Sequence, residues 1–236
     1  KAPKAGEVIS EGQVLVRGAL IRTTFNDTVF HGSTPIVGTL PSSGIGKVIF
    51  SRSQKFIYGD IVSGPLSAQS YTTMPGDFFT KISNPEIDPF TQIGILGVST
   101  GLTAYCGIYN VGQVKKDEIV RVSGAAGGVG MIVCQLEKLK GAKVIGIAGG
   151  KEKCDVLVNE VGVDASIDYK NQNINEKIKE HAPDGIDIYF DNVGGEILDI
   201  ALDNIRDRAR VVICGAISKY SHHDSVDGHS LYRRLA

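Results

Sequence analysis

The chain has 236 residues, 42% of them hydrophobic and 22% charged, with 25 Lys and Arg against 26 Asp and Glu. That is the make-up of a globular chain with room for two modest domains or one large one, and it excludes a disordered chain. A net charge of -1 gives no basic field for nucleic acid or a membrane surface, and no apolar run reaches the roughly 18 residues of a membrane helix.

Residues 1–93 read as mostly β. Gln13 to Arg17 alternates, Gly46 to Phe50 follows a Gly-rich turn, and Gly59-Asp60-Ile61-Val62-Ser63-Gly64 is a short strand between glycines. Pro and Gly punctuate this half, as in a small barrel or sandwich, and Asn84-Pro85 and Asp88-Pro89 mark a boundary region. From residue 94 the texture changes. A helix rich in small residues, around Gly101 to Ile108, is expected to pack closely on a neighbour. Strands then follow at Ile119–Val122, Lys143–Ala148, Ala165–Asp168, Asp187–Phe190 and Arg210–Cys214. Between them lie helices near Val129–Lys140, Lys151–Val161, Asn173–Glu180 and Gly195–Ile205. Near-continuous apolar strands alternating with helices predict a parallel sheet covered on both faces, a doubly wound α/β domain over residues 94–236. No sixth strand can be placed after Ser218.

The stretch from Glu118 to Leu139 carries the chemistry. A buried strand runs into Ser123-Gly124-Ala125-Ala126-Gly127-Gly128-Val129-Gly130 and then into a helix whose Val129, Ile132, Val133, Leu136 and Leu139 share one face. Strand, glycine turn and helix are the parts of a dinucleotide site. Gly124 and Gly127 leave room for a pyrophosphate, Gly130 for close packing of helix on strand, and the helix N-terminus offers N–H groups to phosphate. A plain strand-to-helix turn is the competing reading of the glycines alone.

The tip of the second strand bears on which nicotinamide binds. An NAD site places Asp or Glu there to accept from the ribose hydroxyls. Here Val144 to Ala148 runs into Gly149-Gly150-Lys151-Glu152-Lys153, with no carboxylate at the tip and two lysines on the first helical turn. That arrangement favours a ribose phosphate, hence NADPH, although one or both lysines could be solvated surface charges. Asn192, leaving the fourth strand, stands where ligands of open sheets bind, or else simply makes a turn with its two glycines. Cys214-Gly215-Ala216 ends the fifth strand in the same row, with small residues that leave space for a nicotinamide ring.

No zinc pattern is present. His222, His223 and His229 lie in a polar stretch, His31 and His181 read as surface or barrel-wall residues, and no metal is expected. Ser99, Ser123 and Ser218 lack a nucleophile-elbow context. Cys106, Cys134, Cys154 and Cys214 form no CxxC pair and read as free thiols. With the absence of a signal-peptide core, they point to a reducing, cytoplasmic compartment.

In Gly59 to Gly64, Gly101-Leu102-Thr103-Ala104-Tyr105, Ala125 to Gly130, Phe190-Asp191-Asn192-Val193-Gly194-Gly195 and Cys214-Gly215-Ala216-Ile217-Ser218, the chain resembles the medium-chain dehydrogenase/reductase superfamily. The resemblance is closest to its zinc-independent branch of prostaglandin reductases and alkenal double-bond reductases, and it covers roughly residues 13–220. It implies a GroES-like β-barrel over residues 1–93 and a Rossmann NADP-binding domain over residues 94–236. Family chains are longer, so it also implies a fold incomplete at both ends. The activity implied is NADPH-dependent reduction of the carbon–carbon double bond of α,β-unsaturated aldehydes or ketones, with hydride delivered to the β-carbon, in a homodimer.

By the same resemblance Gly127, Gly128, Val129 and Gly130 meet the pyrophosphate and Lys153 and Tyr169 hold the extra phosphate. Asn192 touches the cofactor, and Cys214, Gly215, Ala216, Ile217, Ser218 and Tyr220 line its nicotinamide end. Tyr220 and Tyr232 are the candidates for a substrate-facing tyrosine. Where many relatives carry Asp-Pro-Tyr-x-Arg-Gly, this chain reads Asp27-Thr28-Val29-Phe30-His31-Gly32, a departure beside the expected active site. A quinone reductase with the same cofactor residues and a non-catalytic NADPH-binding protein are the rival readings.

Overall fold

The computed structural model describes residues 3–25 and 33–220. The stretch Asp27–Gly32 lies outside the described residues, as do His222, His223, His229 and Tyr232. Backbone packing divides the chain into two compact units, Lys1–Gly97 and Val98–Ala236.

The first unit is a five-stranded sheet of β1 (Glu7–Val16), β2 (Ser43–Ser51), β3 (Ile61–Pro65), β4 (Tyr71–Pro75) and β5 (Thr80–Lys81). Its order is β4-β1-β2-β3-β5, with every neighbouring pair antiparallel. One face buries Val8, Val48, Phe56, Val62, Leu66 and Phe79 as a core of its own. β1 begins well before Gln13. Its pairing with β2 shifts between Ile9 and Ser10 and again between Gly12 and Val14, so no clean alternation reaches the sequence there. A short helix, α1 (Pro89–Ile93), follows. Asp88 caps it by accepting from the Thr91 N–H at 2.9 Å, and Pro89 fills the first turn, where no N–H is needed.

The second unit opens with α2 (Thr103–Tyr105), flanked by wider π-helical turns at Val98–Leu102 and Cys106–Gly112. The small residues do bring it close to its neighbours. A methyl group at Gly107 would stand 2.6 Å from the ring of Phe190. Then come β6 (Ile119–Ser123), α3 (Gly128–Leu139), β7 (Lys143–Ala148), α4 (Lys151–Val156), β8 (Ala165–Asp168), α5 (Ile174–His181), β9 (Ile186–Asp191), α6 (Gly195–Leu202) and β10 (Ile205–Ile213). A π-helical turn, Leu157–Val161, prolongs α4.

All pairings in this sheet are parallel, in the order β10-β9-β6-β7-β8. Numbered from β6, that is 5-4-1-2-3, the doubly wound arrangement, whose direction of winding reverses between β6 and β9. The strands β6 to β9 are buried on both faces. One carries Val120, Val122, Val144 and Phe190 under α3, the other Ile145, Ile147, Ile167 and Ile186 against α5.

Two expectations are corrected. Ile205 starts β10 and does not end a helix. In α3 the buried positions are Gly130, Val133, Cys134 and Glu137, whereas Leu139 is 81% exposed. The helix is turned so that a carboxyl, not the last leucine, faces the core.

Candidate functional site

The site lies at the carboxyl edge of the parallel sheet, where winding reverses and the loops after β6 and β9 part. A cavity of about 820 Å³ opens there. Gly124 turns the chain out of β6 with φ +58°, a left-handed conformation that side chains disfavour. Gly130 lets α3 approach that turn. A methyl group there would stand 2.8 Å from the Ala125 Cα and closer still to the Gly124 carbonyl. No side chain caps α3 at Gly127, so the first-turn N–H groups of Gly128, Val129 and Gly130 lack both a cap and an intrahelical acceptor. A phosphate fits that end by charge and by hydrogen bonding.

At the tip of β7, the ring of Tyr169 lies against Gly149, and both line the cavity together with Lys153. The two lysines of α4 separate here. Lys151 is 85% exposed and pairs with Asp155 one turn along the helix at 2.5 Å. Lys153 reaches the cavity wall and makes no ion pair among the described residues. A carboxylate does stand nearby, on the third strand. Asp168 turns it to protein donors, accepting from the Gly150 N–H at 2.7 Å, the Lys170 N–H at 3.1 Å and Asn171 Nδ2 at 2.7 Å. The bond from Asn171, followed by that from Gly150, holds the Asp168 carboxyl below its ordinary range. Its oxygens are thus committed to the loop.

Of the remaining candidates, Gly127, Ile217 and Ser218 line the cavity. Gly128, Val129 and Gly130 are the first turn of α3 behind it. The Asn192 side chain is buried and donates through Nδ2 to the Ser123 carbonyl at 2.7 Å, which ties the β9 exit to the β6 exit. Cys214 and Gly215 donate their N–H groups to the Asp191 carbonyl at 2.8 and 3.0 Å. Burial pushes the Cys214 thiol up. Tyr220 folds back so that its hydroxyl accepts from the Ala216 N–H at 3.3 Å.

The sequence reading missed the far wall of the cavity, Gln172, Asn173 and Ile174 before and on α5, and Glu196, Ile197 and Ile200 on α6. The three-residue spacing of Ile197 and Ile200 was a usable signal, since it puts both on the side of α6 that continues the Ile147 face of the sheet. Beneath the site, Arg121 is fully buried, stacks on the Tyr189 ring at 5.5 Å, and leaves its three guanidinium nitrogens without a hydrogen-bond partner among the described residues. Burial draws its pKa down to about 10.

Comparison with known proteins agrees with this geometry. The family described as zinc-binding dehydrogenase matches residues 128–234. The chain is 40% identical over 205 residues to the NADP(+)-dependent 2-alkenal reductase of Nicotiana tabacum, covering 86% of this chain and 58% of that one. It is 40% identical over 217 residues to prostaglandin reductase 1 of Bos taurus, covering 90% of this chain and 65% of that one. The crystal structure of CurA from Vibrio vulnificus in complex with NADPH superposes with a TM-score of 0.91 at 31% identity, covering 99% of this chain and 70% of that one. The chain thus spans less than two thirds of the length of both curated reductases. Sequence likeness, the order of the parallel sheet and the open glycine turn converge, and the chain belongs to the medium-chain dehydrogenase/reductase superfamily, in its zinc-independent branch of alkenal and prostaglandin reductases.

Proposed function

We propose that this chain binds NADPH across the carboxyl edge of its parallel sheet. In the whole protein it serves the reduction of the carbon–carbon double bond of an α,β-unsaturated aldehyde or ketone. The observation that carries the reading is the pairing of Lys153 and Tyr169 on the wall of the cavity at the tip of β7, where the neighbouring Asp168 carboxylate is already taken by protein donors. A cationic amine and a phenol at that place suit a ribose phosphate and give unphosphorylated ribose nothing comparable.

The other residues take roles that follow from position. The first turn of α3, at Gly128, Val129 and Gly130, holds the pyrophosphate behind Gly127. The apolar pair Ile197 and Ile200 with Ile174 receives the adenine. Asn192 braces the turn, and the run from Cys214 to Ser218, with Tyr220 folded beneath it, bounds the nicotinamide end. Nicotinamide supplies the hydride when bound, and this chain's part is to bind, orient and exclude water.

The first unit, residues 1–93 in this reading, is a GroES-like barrel on the substrate side. Its antiparallel sheet with a separate core supports that assignment. Residues 94–236 are the NADP-binding domain. Four free cysteines support a cytoplasmic setting, and no helix among the described residues is long and apolar enough to cross a membrane. A homodimer is part of the proposal. β10 is the last strand on its side of the described sheet, and its Ile213 is 64% exposed.

The deciding experiment is steady-state oxidation of NADPH, with NADH in parallel, by the full natural chain against enals, enones and quinones. NADPH-selective turnover of an enal or enone is the expected result. Turnover of quinones alone moves the protein to the quinone reductases, and NADPH binding without turnover makes it a cofactor-binding protein.

A further inference from the structure

Three strand exits border the cavity, and one buried residue is bonded to all of them, by its side chain to two and by its main-chain carbonyl to the third. Asp191, the last residue of β9, is fully buried. Its Oδ1 accepts from Ser123 Oγ at 2.8 Å, Tyr189 Oη at 3.0 Å and the N–H groups of Val193 and Gly194 at 3.1 and 3.0 Å. Its Oδ2 accepts from the Gly194 N–H at 3.0 Å. Ser123 relays the contact, since its Oγ also accepts from the Asn192 N–H at 2.9 Å. The main-chain carbonyl of Asp191 takes the N–H groups of Cys214 and Gly215.

The geography of these bonds matters more than their number. Ser123 is the residue before the left-handed Gly124 of the glycine turn. Val193 and Gly194 form the cavity wall ahead of α6. Cys214 and Gly215 begin the run that ends at the cavity residues Ile217 and Ser218. A carboxylate only accepts, and each group turned toward it here is a donor, so the node has one satisfied arrangement and resists displacement. With no exposed surface, Asp191 cannot itself touch a ligand.

We propose that Asp191 is a positioning residue that fixes the separation between the glycine turn and the β10 exit, and so aligns the two ends of one dinucleotide. The inference rests on the NADPH reading above and deepens it. A ligand that spans both loops depends on the node, while one that occupies only the adenosine end does not. Second-layer residues of this kind act through the geometry they impose on the groups that do touch ligand.

The test compares dissociation constants of NADPH and of 2′,5′-ADP, which carries the phosphorylated adenosine end alone, for the unaltered full chain, Asp191→Asn and Ser123→Ala. Asp191→Asn puts a donor where only donors point and is expected to weaken NADPH about tenfold or more, with 2′,5′-ADP within about twofold. Ser123→Ala removes the relay alone and is expected to weaken NADPH about threefold in the same selective way. Unchanged NADPH affinity in both variants overturns the proposal. So does a parallel loss of both ligands, which a merely loosened domain would give. Should Asp191→Asn fail to fold, Ser123→Ala decides by the same criterion. An unaltered chain that binds neither ligand overturns the cofactor reading and this inference with it, whereas equal affinity of all three proteins for each ligand overturns the inference alone.

Discussion

A methyl group built on Gly149 would stand 2.8 Å from the phenolic oxygen of Tyr169, so the ring lies where only a residue without a side chain leaves space. The atoms in the way are the far end of a side chain that is 46% exposed, and the ring can swing aside. Gly149→Ala is therefore expected to leave stability within about 0.5 kcal/mol of the parent, because nothing in the core moves. NADPH affinity should fall roughly three- to tenfold as the phenol leaves the phosphate, a loss of one hydrogen bond. Isothermal titration with NADPH and NADH reads it. Equal losses for both cofactors would place Tyr169 outside phosphate recognition.

Lys153 makes the sharper case, because its partner on α4 is already engaged. With Lys151 tied to Asp155, the amine at 153 is left to meet a ribose phosphate. Lys153→Ala is expected to weaken NADPH by roughly 10- to 100-fold, the size of a charge-assisted bond to phosphate, and to leave NADH within about twofold. Lys151→Ala should change neither by more than about twofold, as expected of an exposed ion pair. A larger loss from Lys151→Ala than from Lys153→Ala would reverse the assignment.

How far the sequence foretold this structure depended on what each residue type could reveal. The alternation of β6 to β10 with their helices was legible because parallel strands buried on both faces must be apolar throughout, and Gly124 and Gly130 mark a turn that few other residues permit. The first unit was less so. Ser10, Glu11 and Gly12 sit inside β1, and its two register shifts erase the alternation that a strand should print. Charge misled at two places. Arg121 and Glu137 occupy buried positions where an apolar side chain is the rule, and hydropathy turned α3 toward Leu139 as a result. The site divides in the same way. Lys153 was legible as one of two lysines following a strand tip that carries no carboxylate, and resemblance to known motifs singled it out and added Tyr169. Asp191, Asn173 and Ile200 belong to the site only by the folding of strands and helices that are remote in the chain.

The buried Arg121 has a measurable consequence. Its guanidinium has an aromatic face at 5.5 Å and Asp191 in its field, but no hydrogen-bond acceptor among the described residues. A buried charge without hydrogen bonds costs more than a cation–π contact returns. Arg121→Met keeps the length of the side chain and discards the charge, and is expected to raise stability by about 1–3 kcal/mol. For a chain of this size that corresponds to a rise in Tm of roughly 2–10 °C in calorimetry. A fall in Tm would mean that the guanidinium is paired in solution and is part of what holds the β6–β9 pair together.

Glu137 gives a pH dependence whose sign can be worked out. It is fully buried in α3, neither carboxyl oxygen has a hydrogen-bond partner among the described residues, and burial pushes its pKa well above the ordinary 4.5. Below that ordinary value the folded and unfolded chains both carry the proton, and folding is unaffected. Above it the unfolded chain releases the proton while the folded chain keeps it, so stability declines as pH rises until the folded group also ionises. The decline is at most about 1.4 kcal/mol per pH unit for one proton. Glu137→Gln keeps the shape without the titration. The variant and the parent should melt nearly together at pH 4.5, and the variant should become progressively the more stable of the two toward pH 7. Calorimetry across that range measures the difference directly. A gap that stays constant with pH would show that Glu137 has found a partner, Tyr109 or Cys134 being the groups that face it.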